Sequence, residues 1–229
     1  MRPIFKLGER LEKCAQLVRP GAKIVDVGTD HAYLPIWLAK KNLISHAIAA
    51  DVREAPLESA KKNIEKYRVD DLVEIRLSDG LRRVSPSAAE DIIFAGMGGD
   101  LIARLIGETP WLKDPEKRLI LQPMSAEVDL RKFLAKAGYK IAEEEIICDE
   151  RRVYTVICAS FEKENIELSA LEPYIGAIKE PLSPAARRYL HKEIVHIQNQ
   201  ARGLLSIGNK EASCALQEIV RMLESIINK

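Results

Sequence analysis

The stretch Ile24–Tyr33 constrains the fold more than any other part of this 229-residue chain. Three of its first four residues are apolar and β-branched, which is typical of a short strand buried on both faces of a sheet. Gly28 then permits a sharp turn and leaves room for a close neighbour, because it carries no Cβ. The apolar run from Leu34 begins a helix whose N-terminus faces the same turn. Strand, tight turn and helix together predict a nucleotide-type binding site.

The residues within this turn limit which ligand it can take. A dinucleotide-binding fingerprint has its second and third glycines where this chain has Asp30 and Ala32. A pyrophosphate needs uncharged backbone at the second glycine, and the Asp30 carboxylate would repel it. An NAD-linked oxidoreductase is therefore disfavoured. S-adenosylmethionine, a cation with a free amino group and no phosphate, is a ligand that suits the turn.

Acidic residues and glycines follow the next two predicted strands, at the sheet edge where doubly wound folds bind ligands. Asp51 ends the second strand, Ala47–Ala50, where a carboxylate can accept both hydroxyls of a ribose. A solvated strand end is the alternative for Asp51. The third strand, Val73–Leu77, leads into Asp79 and Gly80. The pattern predicts that these side chains share one site with Asp26.

The fourth predicted strand, Asp91–Ala95, runs into Gly-Met-Gly-Gly at 96–99. Three glycines in four residues cost backbone entropy, so a close approach to a ligand is expected there, with a plain tight turn as the alternative. A fifth strand, Arg118–Leu121, and an antiparallel pair, Tyr139–Cys148 and Val153–Phe161, complete a seven-stranded, doubly wound α/β sheet. Parallel units that end in a strand hairpin favour a methyltransferase over a dehydrogenase.

Beyond Lys163 the pattern changes to helices alone. Apolar residues repeat in steps of four and three over Leu190–Leu204 and again over Ala212–Ile226, with a Gly-Asn break at 208–209. Two such seams around a short turn predict an antiparallel coiled-coil hairpin. The predicted domains are residues 1–163 and 164–229.

Charge and composition set limits on partners. The formal net charge is +1, so binding to nucleic acid would need a local basic patch. One candidate is the N-terminal segment 1–23, and the other is the first C-terminal helix, which is a candidate surface for phosphate. Its basic residues are Arg187, Arg188, Lys192 and Arg202. A solvated coiled-coil face is the alternative for this helix.

Cysteine spacing and hydropathy make further predictions. The four cysteines show no Cys-x-x-Cys spacing, so reduced thiols and no metal site are expected. No apolar run reaches the roughly 18 residues of a membrane span, and the N-terminus is charged. A soluble, cytoplasmic protein without membrane contact is expected, and a monomer is compatible with a sequence that leaves the oligomeric state open.

Several motifs, taken in order, resemble those of the TrmK family, the bacterial tRNA adenine-22 N1-methyltransferases. They are Asp-Val-Gly-Thr-Asp-His-Ala-Tyr-Leu-Pro at 26–35, Ser-Asp-Gly at 78–80, Ala-Gly-Met-Gly-Gly at 95–99, Leu-Gln-Pro at 121–123 and the helical tail. The resemblance covers essentially the whole chain. It implies a class I (Rossmann-like) domain that uses S-adenosylmethionine, and a helical C-terminal domain that helps to hold tRNA.

The resemblance also implies roles for individual residues. The cofactor pocket would be lined by Asp26, Gly28, Asp30, His31, Tyr33, Asp51, Val52, Asp79, Gly80 and Ala95. The catalytic residues beside the transferred methyl group would be Asp30, Gly96, Met97, Gly98 and Gly99. Alternatives are backbone satisfaction for Asp26, helix capping or packing for His31, and simple packing for Met97.

The chemistry of adenine N1 shapes the catalytic expectations. Its in-plane lone pair makes it a nucleophile without deprotonation, so no strong general base is required. The methylated base is cationic, and Asp30 or the carbonyls around Gly96 and Met97 are candidates to stabilise it. N1 lies on the pairing edge, so the base must leave its stack. Tyr33, Tyr154 and Trp111 are candidates to stack on it, with strand packing as the alternative for Tyr154.

Two other functions fit the same sequence. One is a small-molecule methyltransferase that uses the coiled coil for dimerisation. The other is a non-catalytic RNA-binding protein that has kept the fold. Turnover of S-adenosylmethionine and dependence on tRNA separate these from the leading hypothesis.

Overall fold

The computed structural model describes residues 4–149, 152–163, 166–179 and 181–228, and a seven-stranded sheet forms its centre. The strands are β1 Ala22–Val27, β2 Ile44–Asp51, β3 Val73–Leu77, β4 Asp91–Met97, β5 Arg118–Pro123, β6 Tyr139–Asp149 and β7 Arg152–Phe161. Their spatial order is β3-β2-β1-β4-β5-β7-β6. The first five are parallel, and β7 is antiparallel to both of its neighbours. This confirms the predicted methyltransferase-type sheet.

Helices cover both faces of the sheet, as expected for parallel strands. They are α1 Glu9–Leu17, α2 Tyr33–Lys40, α3 Glu54–Tyr67, α4 Gly99–Gly107, α5 Glu127–Lys136, α6 Glu172–Ile175, α7 Pro184–Ser206 and α8 Lys210–Ile227. Alternation along β1 assigns the faces: Ile24 packs with α1, α2 and α3, whereas Val25 and Val27 pack with α4 and α5. Asp26 follows Ile24 on the α1 face.

The first helix is shorter than its apolar pattern predicts. The spacing indicates a helix from Phe5, but α1 begins at Glu9, after Gly8 in an extended conformation. Glycine is a poor helix former because it loses the most backbone freedom. Phe5 instead packs edge-on against Tyr33 and Tyr67, with ring centroids 5.0 and 5.2 Å apart.

The two long C-terminal helices run antiparallel. Arg187 Nη1, near the start of α7, donates to the Ile227 carbonyl at the end of α8 (2.6 Å). Ser213 Oγ, near the start of α8, donates to the Ala201 carbonyl of α7 (2.9 Å). The helical hairpin therefore forms as expected, while coiled-coil packing along its whole length stays a prediction.

A buried ion pair joins the helical part to the sheet. Arg131 of α5 and Glu144 of β6 are each 2% exposed at their side chains, with Nη2 and Oε1 2.6 Å apart. Arg131 Nη1 also donates to the Tyr189 hydroxyl of α7 (2.8 Å) and to the Pro173 carbonyl (2.7 Å). Burial raises the pKa of Tyr189, so this phenol stays neutral and serves as the acceptor.

Within the residues that the structure describes, no helix is long and apolar enough to cross a membrane. Those residues also contain no group of three or more His, Cys, Asp or Glu side chains placed to hold a metal ion. Cys14, Cys148, Cys158 and Cys214 are free thiols. Burial raises the pKa of Cys14 to about 12, which keeps it protonated and unreactive.

Candidate functional site

The carboxyl ends of four neighbouring strands meet at one edge of the sheet. Val27 of β1 is level with Ala50 of β2 and Phe94 of β4, and Asp51 is level with Leu77 of β3. This register brings together the residues predicted for the cofactor pocket, all of which lie at these strand ends or in the following loops. They are Asp26, Gly28, Asp30, His31, Tyr33, Asp51, Val52, Asp79, Gly80 and Ala95.

The turn after β1 is held tightly against β2. Gly28 has a φ of +76°, and its N–H donates to the Ala50 carbonyl (2.8 Å), as does the N–H of Thr29 (2.9 Å). A Cβ on Gly28 would overlap the terminal methyl of Met97. Ala32, the residue before α2, is also left-handed, with a φ of +54°. The turn thus presents backbone, with no side chain from Gly28, to the edge of the sheet.

Two buried carboxylates lie beside this turn. Asp26 is 7% exposed and Asp51 is 5% exposed. The pKa of Asp26 is raised to about 6, mainly by burial and to a smaller extent by the charge of Asp51. The Thr29 hydroxyl favours the charged form, although it makes no hydrogen bond of standard geometry. Two acids in a poorly solvated place favour a cationic ligand, because a cation offsets their charge.

Asp30, His31 and Tyr33 lie on the rim of the site. The Asp30 carboxylate is 73% exposed and lies 3.2 Å from His31 Nε2. The His31 ring is tilted against that of Tyr33, with centroids 5.2 Å apart, and Tyr33 is 42% exposed. Asp30 is therefore separated in environment from the buried Asp26. Its predicted contact with the cofactor stays a prediction.

The rim continues at the ends of β2 and β3. Val52 is 62% exposed, and the Asp79 carboxylate lies 3.3 Å from Arg82 Nη1. Gly80 is buried with a φ of +57°, and a Cβ there would stand 2.6 Å from Leu105 Cδ2. Gly80 is thus required for packing against α4, whatever its contact with a ligand.

The end of β4 contains an irregularity at Gly96. The pairing of β4 with β5 shifts register between Ala95 and Met97, which makes Gly96 the extra residue of a β-bulge. Gly96 has a φ of +79°, is exposed, and donates its N–H to Gln122 Oε1 (3.0 Å). Bulges of this kind often stand next to active sites, where they redirect the chain.

The other two glycines of this motif, Gly98 and Gly99, differ in whether the surrounding structure requires a glycine. Gly99 donates its N–H to the Ser125 carbonyl (2.8 Å), and a Cβ on it would lie 2.6 Å from the Ala126 carbonyl oxygen. Gly98 has an ordinary φ of −67° and room for a Cβ at 3.4 Å from Ser125 Oγ. The backbone around Ser125 therefore explains Gly99 without any ligand. The catalytic assignments of both glycines stay predictions.

Two residues of this site are absent from the sequence-based prediction. Gln122, at 0% exposure, accepts the Gly96 N–H at its Oε1, and Arg10 Nη1 of α1 donates to the same oxygen (2.7 Å). The Leu-Gln-Pro motif at 121–123 was a signal for Gln122. Arg10 was visible only as one charge of the basic N-terminal segment.

The three aromatic candidates for base stacking differ in place. Tyr33 is exposed at the rim. Tyr154 is 9% exposed and lies under the Arg10 guanidinium, 5.8 Å from it, so its packing role is supported. Trp111 lies in a short 3-10 helix before β5, with Lys117 over its ring, and thus at the opposite edge of the sheet. The prediction for Trp111 was wrong, because sequence order does not give the edge.

The four basic residues of α7 are at the surface, but they do not form one uniform patch. Helical spacing places Arg188, Lys192 and Arg202 on one face, with Arg187 about a quarter-turn away toward α8. Lys192 Nζ lies 3.1 Å from Glu127 Oε1, at the first residue of α5. It also lies 4.0 Å from Oε1 of the buried Glu193, so two carboxylates partly offset the charge of Lys192.

A groove lies between α7 and the loop that precedes α5. Its volume is about 460 Å³, and its lining includes Met124, Ser125, Lys132, Lys192, His196 and Gln200. One wall, at Ser125, is the same segment that receives the Gly99 N–H. The groove therefore lies beside the loop that packs against Gly99, and its lining also contains the acidic residues Glu127, Asp129 and Glu193.

Comparison with known proteins identifies relatives of the chain. A family model described as a methyltransferase domain matches residues 7–157. The tRNA (adenine(22)-N(1))-methyltransferase of Bacillus subtilis strain 168 is 36% identical over 155 residues, which are 68% of this chain and 65% of that protein. The aligned part thus spans slightly less than two thirds of this curated relative.

Two solved structures match over nearly the whole chain. The B. subtilis M1A22 tRNA methyltransferase TrmK is 30% identical, with a TM-score of 0.84, over 97% of this chain and 99% of that one. The Streptococcus pneumoniae protein Sp1610, a candidate tRNA (m1A22) methyltransferase solved with S-adenosyl-L-methionine, is 33% identical. Its TM-score is 0.81, over 94% of this chain and 100% of that one.

Proposed function

Because the chain belongs to the TrmK family of class I methyltransferases, we propose that it transfers a methyl group from S-adenosylmethionine to N1 of adenine 22 in tRNA. The observation that carries the proposal is the arrangement at one edge of the sheet, where the buried carboxylates Asp26 of β1 and Asp51 of β2 lie on one side and the bulged, glycine-rich end of β4 lies on the other side of β1. The match to the B. subtilis enzyme includes the C-terminal helices as well as the sheet.

The residues present fit S-adenosylmethionine. When bound, the cofactor supplies a methyl group on a sulfonium, which is open to attack by a nucleophile. Asp26 would attract this cationic ligand, and Asp51 would accept the ribose hydroxyls. Gly28 carries no side chain, and the space that its Cβ would take holds the terminal methyl of Met97, so this turn packs closely against the end of β4. The exposed Asp30 and Val52 and the partly buried Asp79 would form the rim of the same pocket.

The end of β4 would receive the acceptor nitrogen. Adenine N1 carries a lone pair, so the main task of the chain is to orient it, which can supply roughly 7–11 kcal/mol. The Met97 carbonyl already accepts the Met124 N–H (2.7 Å). The backbone at the exposed Gly96 is therefore the better of the two candidates to stabilise the cationic base. Tyr33, on the rim, would stack on the turned-out adenine.

The tRNA would extend from this site along α7. Arg188, Lys192 and Arg202 share one face of α7, and Arg187 lies at the start of the same helix. Lys192 also lines the 460 Å³ groove, whose lining includes Ser125 of the loop that packs against Gly99. Phosphate contacts by such residues make binding depend on salt concentration. In this proposal residues 1–163 catalyse, residues 164–229 hold tRNA, and the protein works in the cytoplasm, where tRNA is found.

The direct test is incubation of the purified protein with unmodified tRNA and methyl-labelled S-adenosylmethionine, followed by nucleoside analysis. We expect the label in 1-methyladenosine, and its loss when adenine 22 of the tRNA is replaced by guanine. Label in another nucleoside would refute the assignment of N1. Binding of the cofactor without any transfer to tRNA would favour a small-molecule acceptor or a non-catalytic role.

A further inference from the structure

We propose that Arg10 and Gln122 are positioning residues for methyl transfer, which hold the bulged peptide at Gly96 in the conformation that receives the acceptor nitrogen. The inference rests on the proposed function and adds two residues to its machinery. Neither residue has to touch the substrate for this role.

The bulge creates the need for such a support. In a regular ladder the neighbouring strand accepts each backbone N–H, but the register shift between Ala95 and Met97 removes Gly96 from this pattern. The Gln122 side chain supplies the acceptor instead, with Oε1 3.0 Å from the Gly96 nitrogen. The side-chain amide of Gln122 thus replaces the backbone carbonyl that a regular neighbouring strand would offer to this N–H.

The Gln122 amide is itself fixed in orientation. It is 0% exposed, so water does not compete for its hydrogen bonds. Its Nε2 donates to the Pro123 carbonyl (2.8 Å), and this assigns Oε1 to the side that faces Gly96. The residue belongs to β5, whose backbone is paired on both sides by β4 and β7. The acceptor therefore rests on a rigid element.

Arg10 completes the support from the other side. Its Nη1 donates to the same Gln122 Oε1 (2.7 Å), and a Cβ built on Gly96 would lie 3.6 Å from this nitrogen. The guanidinium lies over the Tyr154 ring, 5.8 Å from its centre. Hydrogen bonds from a charged donor are the stronger kind, so Arg10 anchors the amide oxygen that Gly96 depends on.

The position and charge of Arg10 together indicate that its role is to orient Gln122. A methylated adenine is cationic, and a second cation beside it would oppose its formation. The favourable contribution of Arg10 is therefore mechanical: it holds Gln122, and Gln122 holds Gly96. A misplacement of about 1 Å in such a site can lower the rate about 100-fold.

The test measures kcat, KM for tRNA and Kd for S-adenosylmethionine in Arg10→Ala, Gln122→Ala and the double variant. We expect kcat to fall about 10- to 100-fold in each single variant, with KM and Kd within about twofold of the wild type. The kcat of the double variant should be no more than about twofold below that of the less active single variant, because both residues act on one peptide. Arg10→Lys, which keeps one charged donor, should recover much of kcat.

A matched control lies one turn along the same helix. Lys13 also joins α1 to the sheet, but its ion pairs are with Glu143 (2.9 Å) and Glu145 (2.5 Å) of β6, away from the support of Gly96. Lys13→Ala should leave kcat within about twofold of the wild type. An equal loss of kcat in Lys13→Ala would show a merely structural effect and overturn the proposal.

The kcat values of the Arg10 and Gln122 variants can also contradict the proposal. An unchanged kcat in Arg10→Ala, or additive losses in the double variant, would overturn the proposal. If Arg10→Ala does not fold, the kcat values of Arg10→Lys and Gln122→Asn test the same proposal. Gln122→Asn keeps the amide group but shortens the side chain. A wild-type protein that forms no 1-methyladenosine would refute the proposed function instead, so the two failures are distinct.

Discussion

The terminal methyl of Met97 lies directly over the α-carbon of Gly28, so the end of β4 closes over the turn that follows β1. A side chain added at Gly28 would therefore displace Met97, and a shift of Met97 would change the packing over Gly28. This contact links the part of the site proposed to bind the cofactor with the part proposed to receive the acceptor.

Gly28→Ala should lower both stability and cofactor affinity. Its φ of +76° is strained for alanine, and the new Cβ would overlap Met97. Gly21 has the same φ but no atom within 4 Å of a built Cβ, so Gly21→Ala isolates the backbone strain, about 1–3 kcal/mol. We expect Gly28→Ala to lose more stability than Gly21→Ala, and to weaken binding of S-adenosylmethionine at least about tenfold in calorimetry. Equal effects of the two substitutions would contradict the role of Met97.

Gly99→Ala and Gly98→Ala should separate packing from chemistry. A Cβ on Gly99 meets the backbone carbonyls of Ser125 and Ala126 at 2.8 and 2.6 Å, and backbone cannot move aside cheaply. Overpacking of this kind costs about 1–3 kcal/mol, which thermal unfolding would detect. Gly98→Ala should unfold within a few degrees of the wild type, because its φ is ordinary and its nearest neighbour is a side-chain hydroxyl at 3.4 Å.

The ionisation of Asp26 should make stability depend on pH. Its pKa rises from 3.8 in a model peptide to about 6 in the fold, mainly through burial. The folded state therefore holds the proton more tightly than the unfolded state, and the stability of the ligand-free protein should fall as pH rises from about 4 to about 6, then level off. The total change is about 3 kcal/mol. Denaturant titrations at several pH values should show this slope in the wild type and lose it in Asp26→Asn.

Cofactor affinity should follow the opposite trend. A cationic ligand favours the charged form of Asp26, so binding releases its proton. We expect the affinity for S-adenosylmethionine to increase as pH rises through about 6 and to become constant above it. A pH-independent affinity in the wild type between pH 5 and 7 would be incompatible with contact between Asp26 and the cation.

Arg131→Met should destabilise the protein far more than Lys132→Met. Arg131 is buried with Glu144, and its removal leaves a carboxylate without its partner, at a cost of about 3–5 kcal/mol. Lys132 is the next residue of α5, but its pair with Asp129 is exposed and 3.7 Å long, so about 0.5 kcal/mol is expected. Chemical denaturation of both variants measures the difference. Similar losses would mean that Glu144 finds another partner.

The sheet and its ligand-binding edge follow from local patterns. The β-branched strands, the glycine after β1 and the acids after β1, β2 and β3 are all visible in the sequence, because parallel strands impose one common edge. The buried state of Asp26 also follows, since it lies two residues after Ile24 on the same covered face of β1.

Other features depend on contacts between distant parts of the chain. Arg10 and Gln122 are 112 positions apart, and only the fold brings their side chains together. Ala32 and Ala126 adopt left-handed conformations at the starts of α2 and α5, where sequence rules would expect glycine or asparagine. Tertiary packing imposes these conformations, so no local pattern announces them.

The buried Arg131 ties the two halves of the chain together and so limits truncation and the exchange of halves between related proteins. It lies in the methyl-transfer half, yet two of its hydrogen-bond acceptors, Tyr189 and the Pro173 carbonyl, belong to the C-terminal half. A chain truncated before residue 164 would leave this guanidinium half-satisfied at a newly exposed apolar surface. The two halves should therefore be inherited, and exchanged between relatives, as a single unit.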